Sequence, residues 1–269
     1  MKRARALAAS ALFVACNSGP LELAGADYPD AAVGVVANGV DPQIDPRLLP
    51  AGAPDHGIYL YWLFDSDSLT TSVDASGHQR AGQFVNQPTL SEAAPTARSG
   101  NQRGVFFDGT GQAVLKTLDV PLSTLSFGLW IKPACTGVCR VLSLSSKEGT
   151  AQLTLDLTDA GKFKLDSAAP QVPNAATPGS APAIGMTHVV SDQWYHVAGS
   201  VDASGRLQLF VNGTEDAHGT GSTPSTASQL MLGSDSNLLP AGFRGVLDEA
   251  IVYDWALSAA DVAKLAAGS

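Results

Sequence analysis

The chain has 269 residues, 45% of them apolar and 15% charged, with a formal net charge of −9. This length and apolar content are enough for one sizeable core, since single β-sandwich domains of about 200 residues are common. The negative charge repels nucleic-acid phosphates and anionic headgroups, and no basic stripe interrupts it, so we expect no nucleic-acid partner. The 27 glycines and 16 prolines have no period, which is typical of short strands joined by turns.

A basic start and a short apolar run open the chain. Residues 1–5 carry three basic side chains, and residues 6–15 are apolar or small. This run is too short to span a bilayer, which takes roughly 20 apolar residues. The pattern predicts an export signal over residues 1–15 rather than a buried helix, because the chain turns polar at Asn17 without a helix cap.

The end of this run resembles the lipobox of bacterial lipoprotein signals. Val14, Ala15 and Cys16 match its last three positions, while Phe13 stands where leucine is commonest. The resemblance implies that Cys16 becomes the lipid-modified first residue of an exported protein of the cell envelope, such as an outer-membrane lipoprotein. The membrane would then be reached only through this lipid anchor. Ordinary signal cleavage after Ala15, leaving a free cysteine, is the alternative.

Residues 16–55 are rich in Ala, Gly, Pro and Asp and predict a tether. Five prolines, at positions 29, 42, 46, 50 and 54, prevent a long helix or a central strand there. Such a segment is semi-extended and mobile, and it would hold a domain away from a surface. The alternative is that this segment contains a short strand that pairs with the domain.

Short apolar and alternating segments begin at residue 57 and predict an antiparallel sandwich. In LSFGLWIKP, for example, Phe127, Leu129 and Ile131 share one face and Trp130 lies on the other. Residues 202–205 and Asn212-Gly213 are turn signals. About a dozen strands are expected, within IYLYWLF (58–64), GVFFDGTG (104–111), LSFGLWIKP (125–133), CRVLSLSS (139–146), TAQLTLDLT (150–158), KFKLD (162–166), WYHVAGSVDASGRLQLFVNG (194–213), QLMLG (229–233) and FRGVLDEAIVYDWAL (243–257).

One helix is predicted, at the end of the chain. Ser258 and Asp261 fit a capping box, in which the serine hydroxyl accepts from a backbone N–H near Asp261. Val262 and Leu265 then fall on one face, and Gly268 ends the helix.

The order of these segments resembles the bacterial LamG-like group of the laminin G-like, concanavalin A-like jelly-roll superfamily. Five segments carry the resemblance across residues 57–268: YWLFDSDS with VDASGHQRAG, GVFFDGTGQAVL, LSFGLWIKP, WYHVAGSVDASGRLQLFVNG and FRGVLDEAIVYDWALSAADVAKL. It implies an all-β domain over residues 56–269, made of a two-sheet antiparallel jelly roll and a short C-terminal helix. It also implies binding or adhesion roles, often with a bound calcium ion.

By the same resemblance, Asp65, Asp108 and Asp248 are the positions to test as calcium ligands, with backbone carbonyls completing the shell. Calcium prefers several carboxylate and carbonyl oxygens. The alternative is that these aspartates are ordinary turn formers, and no EF-hand loop supports calcium independently.

Cys135 and Cys139 flank a three-residue loop with a central glycine. This loop lets the chain reverse and brings the two cysteines within disulfide range. In an exported chain a disulfide is favoured over a metal pair or two free thiols, because CxxxC alone is a poor zinc signature.

Recognisable catalytic residues are missing from the sequence. Glucanases of this fold class place three acids on one strand in a Glu-x-Asp-x-Glu pattern, which is absent here. In the nearest segment Asp248 and Asp254 share strand parity and Glu249 faces the other way, so these acids are interpreted as structural or calcium-linked. His196 alternates within a strand and is expected to be a satisfied structural histidine.

These patterns predict a non-catalytic, cell-surface binding module whose partner is a carbohydrate or a surface protein. The alternative is a polysaccharide hydrolase or lyase on the same fold. The uncharged Ala/Pro segment over residues 168–185 is either functional or disordered, because loops of this length are uncommon in compact domains.

Overall fold

Strands dominate the computed structural model, which describes residues 49, 52–55, 57–65, 70–91, 93–95, 101–119, 122–167, 180–235 and 242–268. The predicted signal, Cys16, most of the predicted tether and residues 168–179 lie outside these ranges. The described elements are β1 (Ile58–Trp62), β2 (Thr71–Ser72), β3 (Gly82–Val85), β4 (Thr89–Ser91), β5 (Gly104–Asp108), β6 (Ala113–Thr117), β7 (Leu125–Pro133), β8 (Cys139–Ser145), β9 (Ala151–Leu157), β10 (Phe163–Asp166), β11 (Ala183–Ile184), β12 (Tyr195–Val201), β13 (Arg206–Val211), β14 (Thr214–Thr220), β15 (Gln229–Leu232), β16 (Arg244–Tyr253) and α1 (Ala259–Ala267).

These strands form two antiparallel sheets, each with eight strands in the described part of the chain. Sheet A has the order β14-β13-β12-β7-β16-β5-β4, and β1 also pairs with β16. Sheet B has the order β11-β10-β9-β8-β15-β6-β3-β2. The prediction of an all-β, two-sheet jelly roll with a short C-terminal helix is confirmed.

Strand alternation decides which side chains enter the core between the sheets. In β7, Phe127, Leu129 and Ile131 are buried in that core, as predicted. Trp130 lies on the other face, where it is opposite His196 of β12. On sheet B, Leu153, Leu155 and Leu157 of β9 meet the same core, so the residues between them face outward.

A second apolar cluster covers the outer face of sheet A. Val262 and Leu265 of α1 pack there with Ile251 and Tyr253 of β16. The helix begins as predicted, since the Ser258 hydroxyl accepts a 3.2 Å hydrogen bond from the N–H of Asp261. Outside the sandwich core, sheet A therefore buries a further apolar face under the helix.

Contact with the domain begins upstream of residue 56. Leu49 is buried in the cluster under α1, and Ala53 packs against it. The hydroxyl of Tyr253 donates to the carbonyl of Pro54 at 3.3 Å. The last residues of the predicted tether thus pack on sheet A.

The predicted disulfide joins Cys135 and Cys139, whose Cα atoms are 6.5 Å apart. Closing so small a loop stabilises the fold by only about 2 kcal/mol on a chain-entropy basis. Its main effect is to fix the connection between β7 and β8.

Six strands lie outside the segments predicted from the sequence, namely β2, β3, β4, β6, β11 and β14. Four of these, β2, β3, β4 and β11, have four residues or fewer, so alternation has too little length to show. Among the described residues, no helix is both long enough and apolar enough to cross a membrane.

Candidate functional site

Two polar clusters stand out in this fold, one on each sheet. The first lies where β16 changes its partner, because β16 pairs with β5 through residues 244–247 and with β1 through residues 250–253. Asn101 Nδ2 donates to Asp248 Oδ2 at 2.8 Å and to Glu249 Oε1 at 3.1 Å. We call Asn101, Asp248 and Glu249 the junction cluster.

A β-bulge produces this arrangement. Glu249 has a positive φ of 49°, and the register between β16 and β7 shifts between Asp248 and Ile251. The bulge interrupts strict alternation, so both acid side chains reach Asn101. The prediction that Glu249 faces away from Asp248 is therefore wrong, because it assumed a regular strand. Asp248 lies inside β16, which begins at Arg244.

Burial raises the pKa of Asp248 to about 9. The hydrogen bond from Asn101 opposes this rise, while the negative charges of Glu249 and Asp65 add to it. Because Asp248 is 0% exposed, water cannot stabilise a charge there. Asp248 is therefore a neutral carboxyl at pH 7.

The three predicted calcium ligands lie in two places. Asp65 is near the junction cluster, where its Oδ1 accepts hydrogen bonds from the backbone N–H groups of Gln102 and Arg103 at 2.8 and 3.2 Å. Asp108 lies opposite Arg244, at the beginning of β16, and its Oδ1 accepts from the N–H and hydroxyl of Thr110. The structure thus brings Asp65 and Asp248 together and leaves Asp108 exposed at the end of β5.

These residues, as placed, do not fit a calcium shell. Calcium takes six to eight oxygen ligands, whereas Asn101 turns its NH2 group toward both acids of the junction cluster. Within the described ranges, no group of three or more His, Cys, Asp or Glu side chains is arranged to hold a metal ion. Calcium binding stays a prediction.

His196 is buried beside Trp130, with the two rings 5.4 Å apart in an edge-to-face arrangement. Its Nδ1 has no hydrogen-bond partner among the described residues, so the expectation of a satisfied histidine is wrong. Desolvation lowers the pKa of His196 to about 4, because burial disfavours the charged imidazolium. His196 is thus a neutral packing residue.

The second polar cluster lies on the outer face of sheet B. Arg140 is opposite Asp156 in the β8–β9 pair, and Ser143 is opposite Thr154 in the next outward row. The described chain has one helix, and it packs on sheet A. We call the following outward side chains the polar face: Arg140, Ser143, Ser145, Gln152, Thr154 and Asp156.

Arg140 is the centre of the polar face and bonds two aspartates. Its Nε and Nη2 donate to the two carboxylate oxygens of Asp156, at 2.6 and 3.4 Å. Its Nη1 donates to Asp235, which follows β15, at 3.1 Å. The Arg140 side chain is 24% exposed, and each aspartate side chain is 9% exposed. The guanidinium therefore holds two carboxylates beside it on the polar face.

Hydroxyl groups near Arg140 have unused hydrogen-bonding capacity. The hydroxyls of Ser145 and of Ser234, the residue before Asp235, are buried and have no partner among the described residues. Gln152 donates to the hydroxyl of Thr226, in the loop before β15. Buried polar groups are normally paired, so unpaired ones call for an explanation.

The sequence matches the family model of the concanavalin A-like lectin/glucanases superfamily over residues 107–263, which is more than half of the chain. The chain belongs to this superfamily. A comparison with curated protein sequences gives no match.

Solved structures of the same fold come from diverse proteins. Domain 4 of AbnA, a GH43 extracellular arabinanase from Geobacillus stearothermophilus in complex with arabinotriose, has 20% identity and a TM-score of 0.56, covering 78% of this chain and 98% of that one. Trypanosoma rangeli sialidase with 2,3-difluorosialic acid has 14% identity and a TM-score of 0.59, covering 83% and 35%. The binding domain of Paraclostridial Mosquitocidal Protein 1 has 13% identity and a TM-score of 0.56, covering 78% and 52%. At these identities the likeness shows the superfamily fold alone.

The sequence patterns did not predict Arg140, Asp156 and Asp235 as site residues. A signal was present in β8 and β9, because CRVLSLS and AQLTLDL place polar residues at the positions between core residues. Asp235 has no such signal. It follows a strand in sequence and reaches Arg140 only through the pairing of β15 with β8.

The junction cluster predicts a stability cost for removing Asn101. Asn101→Ala leaves the carboxyl groups of Asp248 and Glu249 without this donor, so we expect the free energy of unfolding to fall by about 1–3 kcal/mol. Urea denaturation measures this loss. The control is Gln208→Ala, which removes an exposed amide-to-carboxylate bond to Glu215 and should change stability by less than about 0.5 kcal/mol. Equal losses in both variants would contradict the structural role of Asn101.

His196 predicts a loss of stability in acid. The folded pKa of about 4 lies below the unfolded value of 6.5, so the unfolded chain binds the proton first as pH falls. The contribution of neutral His196 to the free energy of unfolding is complete above pH 6.5. It is lost as pH falls from 6.5 to 4, and the loss is about 3 kcal/mol at most. His196→Leu should flatten the measured slope of unfolding free energy in that range, whereas His188→Leu, at an exposed position, should not. An unchanged slope in His196→Leu would show that other groups cause it.

Proposed function

We propose that this chain is a non-catalytic binding module that recognises a carbohydrate through the polar face of sheet B. The observation that carries the proposal is the Arg140 guanidinium holding Asp156 and Asp235 on an outward sheet face. Such an ion cluster contributes little net stability, because a protein with apolar residues in its place is often equally stable. A ligand-binding role explains why this face is polar.

The chemistry of the cluster suits sugar hydroxyls. Each hydroxyl both donates and accepts, and a carboxylate has about four lone-pair positions for donors. The Arg140 guanidinium uses three of its five N–H donors on Asp156 and Asp235, which leaves two that can donate to a sugar hydroxyl. The complex of the arabinanase domain with arabinotriose is consistent with a sugar ligand on this fold.

The structure contains two pairs of acids, Asp156 with Asp235 and Asp248 with Glu249. The surroundings of both pairs favour binding over hydrolysis. A glycosidase places the scissile bond between two carboxyl groups. The Arg140 guanidinium fills the space between Asp156 and Asp235, and the Asn101 amide bridges Asp248 and Glu249. Neither pair leaves room for a glycosidic bond. Release of reducing sugar by the purified protein would overturn this part of the proposal.

The variant Arg140→Lys tests the polar face. Lysine keeps the positive charge, which protects the fold, but it lacks the planar fork that holds Asp156 and Asp235 together. We expect glycan affinity to fall at least tenfold while the melting temperature changes little. A glycan array finds the ligand, and titration calorimetry measures the affinity.

Arg206→Lys is the matched control, because Arg206 is an exposed arginine on β13 of sheet A. We expect this variant to bind as the wild type does. Equal weakening in both variants would remove the polar face from the proposal. If the module binds a surface protein and no glycan, its partner is a protein and not a carbohydrate.

We also propose that the module is exported and held at the cell envelope by a lipid on Cys16. Cys16→Ala should move the protein from the membrane fraction to the soluble fraction, and intact-mass spectrometry should show the loss of acyl groups. Ser18→Ala, two residues away, should leave both unchanged. A Cys16→Ala protein that stays with the membrane would contradict the anchor.

A further inference from the structure

We infer that the ligand of the polar face is an oligosaccharide several sugars long, and that its far end packs in a groove between β11 and β14. This inference rests on the proposed function, to which it adds a second subsite and the length of the ligand. In this arrangement one sugar ring packs on Ile184 and Met186, and its hydroxyls bond with Glu215 and His218.

One row of side chains connects Arg140 with this groove. Arg140 is opposite Asp156, Asp156 is opposite Lys164, and Lys164 is opposite Ile184. Residues directly opposite each other in neighbouring strands point to the same side of a sheet, so all four lie on the outer face of sheet B. Neighbouring strands are about 4.8 Å apart, so the three steps of the row cover roughly 14 Å. A single sugar ring is shorter than this distance, so a ligand that contacts both ends contains several sugars.

The middle of the row offers further donors to sugar hydroxyls. The side chains of Lys164 and Asp166 are 28% and 32% exposed, and Lys164 Nζ contacts Asp166 at 3.0 Å. This contact uses one of the three donors of the ammonium group. Arg140 keeps two N–H donors at the end of the row, so hydrogen-bonding groups follow the path from Arg140 to Ile184.

The groove itself has an exposed apolar wall. Ile184 and Met186 are 51% and 76% exposed, and both line a groove of about 380 Å³. Single exposed apolar side chains are ordinary, but neighbouring ones in a groove are typical of a ligand site. Methionine is unbranched and adapts its shape to a ligand. The C–H face of a sugar ring is apolar, so packing on this wall removes apolar surface from water.

The opposite wall, from β14, is polar. His218 Nδ1 lies 3.3 Å from Glu215 Oε1, and the two side chains are 72% and 34% exposed. This contact uses Nδ1, so Nε2 can exchange a hydrogen bond with a ligand hydroxyl. Gln208 donates to the other oxygen of Glu215 at 3.1 Å, and each carboxylate oxygen has a second lone pair for a donor. An apolar wall that faces a polar one suits the two kinds of surface that a sugar presents.

Contacts at both ends hold the groove open without a ligand. At one end Ala181 and Thr220 exchange two backbone hydrogen bonds, each of 2.8 Å. At the other end Asp216 Oδ1 accepts from the N–H and the hydroxyl of Thr187, at 3.1 and 2.7 Å. Between these ends β11 pairs with β10 of sheet B, while β14 pairs with β13 of sheet A. The groove is therefore preformed, so binding needs little ordering of the protein.

The first test follows Met186 directly. The protein is labelled with 13C-methyl methionine and titrated with xylo-, arabino-, cello- and galacto-oligosaccharides of one to six sugars. In a series that binds, we expect the Met186 methyl signal to shift only when the chain is long enough to reach the groove. Loss of one signal in Met186→Ser assigns it.

The second test removes the apolar wall. Ile184→Ser combined with Met186→Ser should weaken binding of the longest oligosaccharide at least tenfold and leave the shortest one unchanged, as measured by titration calorimetry. Both side chains are exposed, so the fold should remain. The matched control is Val73→Ser, which changes an exposed apolar residue beside β2, at the opposite edge of sheet B. We expect the control to bind every length as the wild type does.

The outcomes distinguish this inference from the proposed function. Binding that Arg140→Lys weakens, but that never shifts Met186 or is unchanged by the double variant, overturns the groove and leaves the proposed function standing. Equal weakening in the double variant and in Val73→Ser also overturns the groove. A shift of Met186 that Arg140→Lys does not weaken overturns the polar face and the spanning ligand together. Binding of no oligosaccharide overturns both, and a length-dependent shift that both sets of variants weaken supports both.

Discussion

Strand β16 is the element on which sheet A depends. It pairs with β7 along one edge and, along the other, first with β5 and then with β1. The bulge at Glu249 lies where the partner changes, and Asp248 accepts the N–H of Glu249 there at 2.8 Å. Asp65, just after β1, accepts two N–H groups of the chain that leads into β5. The acids at this junction thus satisfy backbone groups where the strand ladder is interrupted.

The outer faces of the two sheets differ in polarity. Sheet A buries Ile251 and Tyr253 under α1, together with Leu49 from the segment before β1. Sheet B instead turns Arg140 and a row of hydroxyl and amide groups outward, with polar side chains of low exposure. An antiparallel sheet needs only one apolar face to form a sandwich. The second face of sheet B can therefore be polar, and it is the face through which we propose that the module binds its ligand.

The fold could be predicted from the sequence to a large extent, since its signals are local. Alternation predicted β7 and β12, the Asn212-Gly213 turn is confirmed with φ values of 51° and 79°, and the Ser258 cap predicted α1. Most of the candidate site could not be predicted from the sequence. Alternation fails at the bulge of Glu249, because nothing in the residue types there signals an extra residue. Asp235 meets Arg140 only through strand pairing, which a linear pattern does not contain.

Superfamily membership and ligand choice rest on different positions of the same strands. In β9 the core positions are Leu153, Leu155 and Leu157, while the intervening residues, including Asp156, face outward. Outward residues can change without altering the core, so an arabinanase domain, a sialidase and the binding domain of a mosquitocidal protein share this fold with the chain at 13–20% identity. The fold therefore does not determine the ligand. In this chain the outward positions of β8 and β9 place Arg140 beside Asp156, and strand pairing adds Asp235, an arrangement that the core positions do not require.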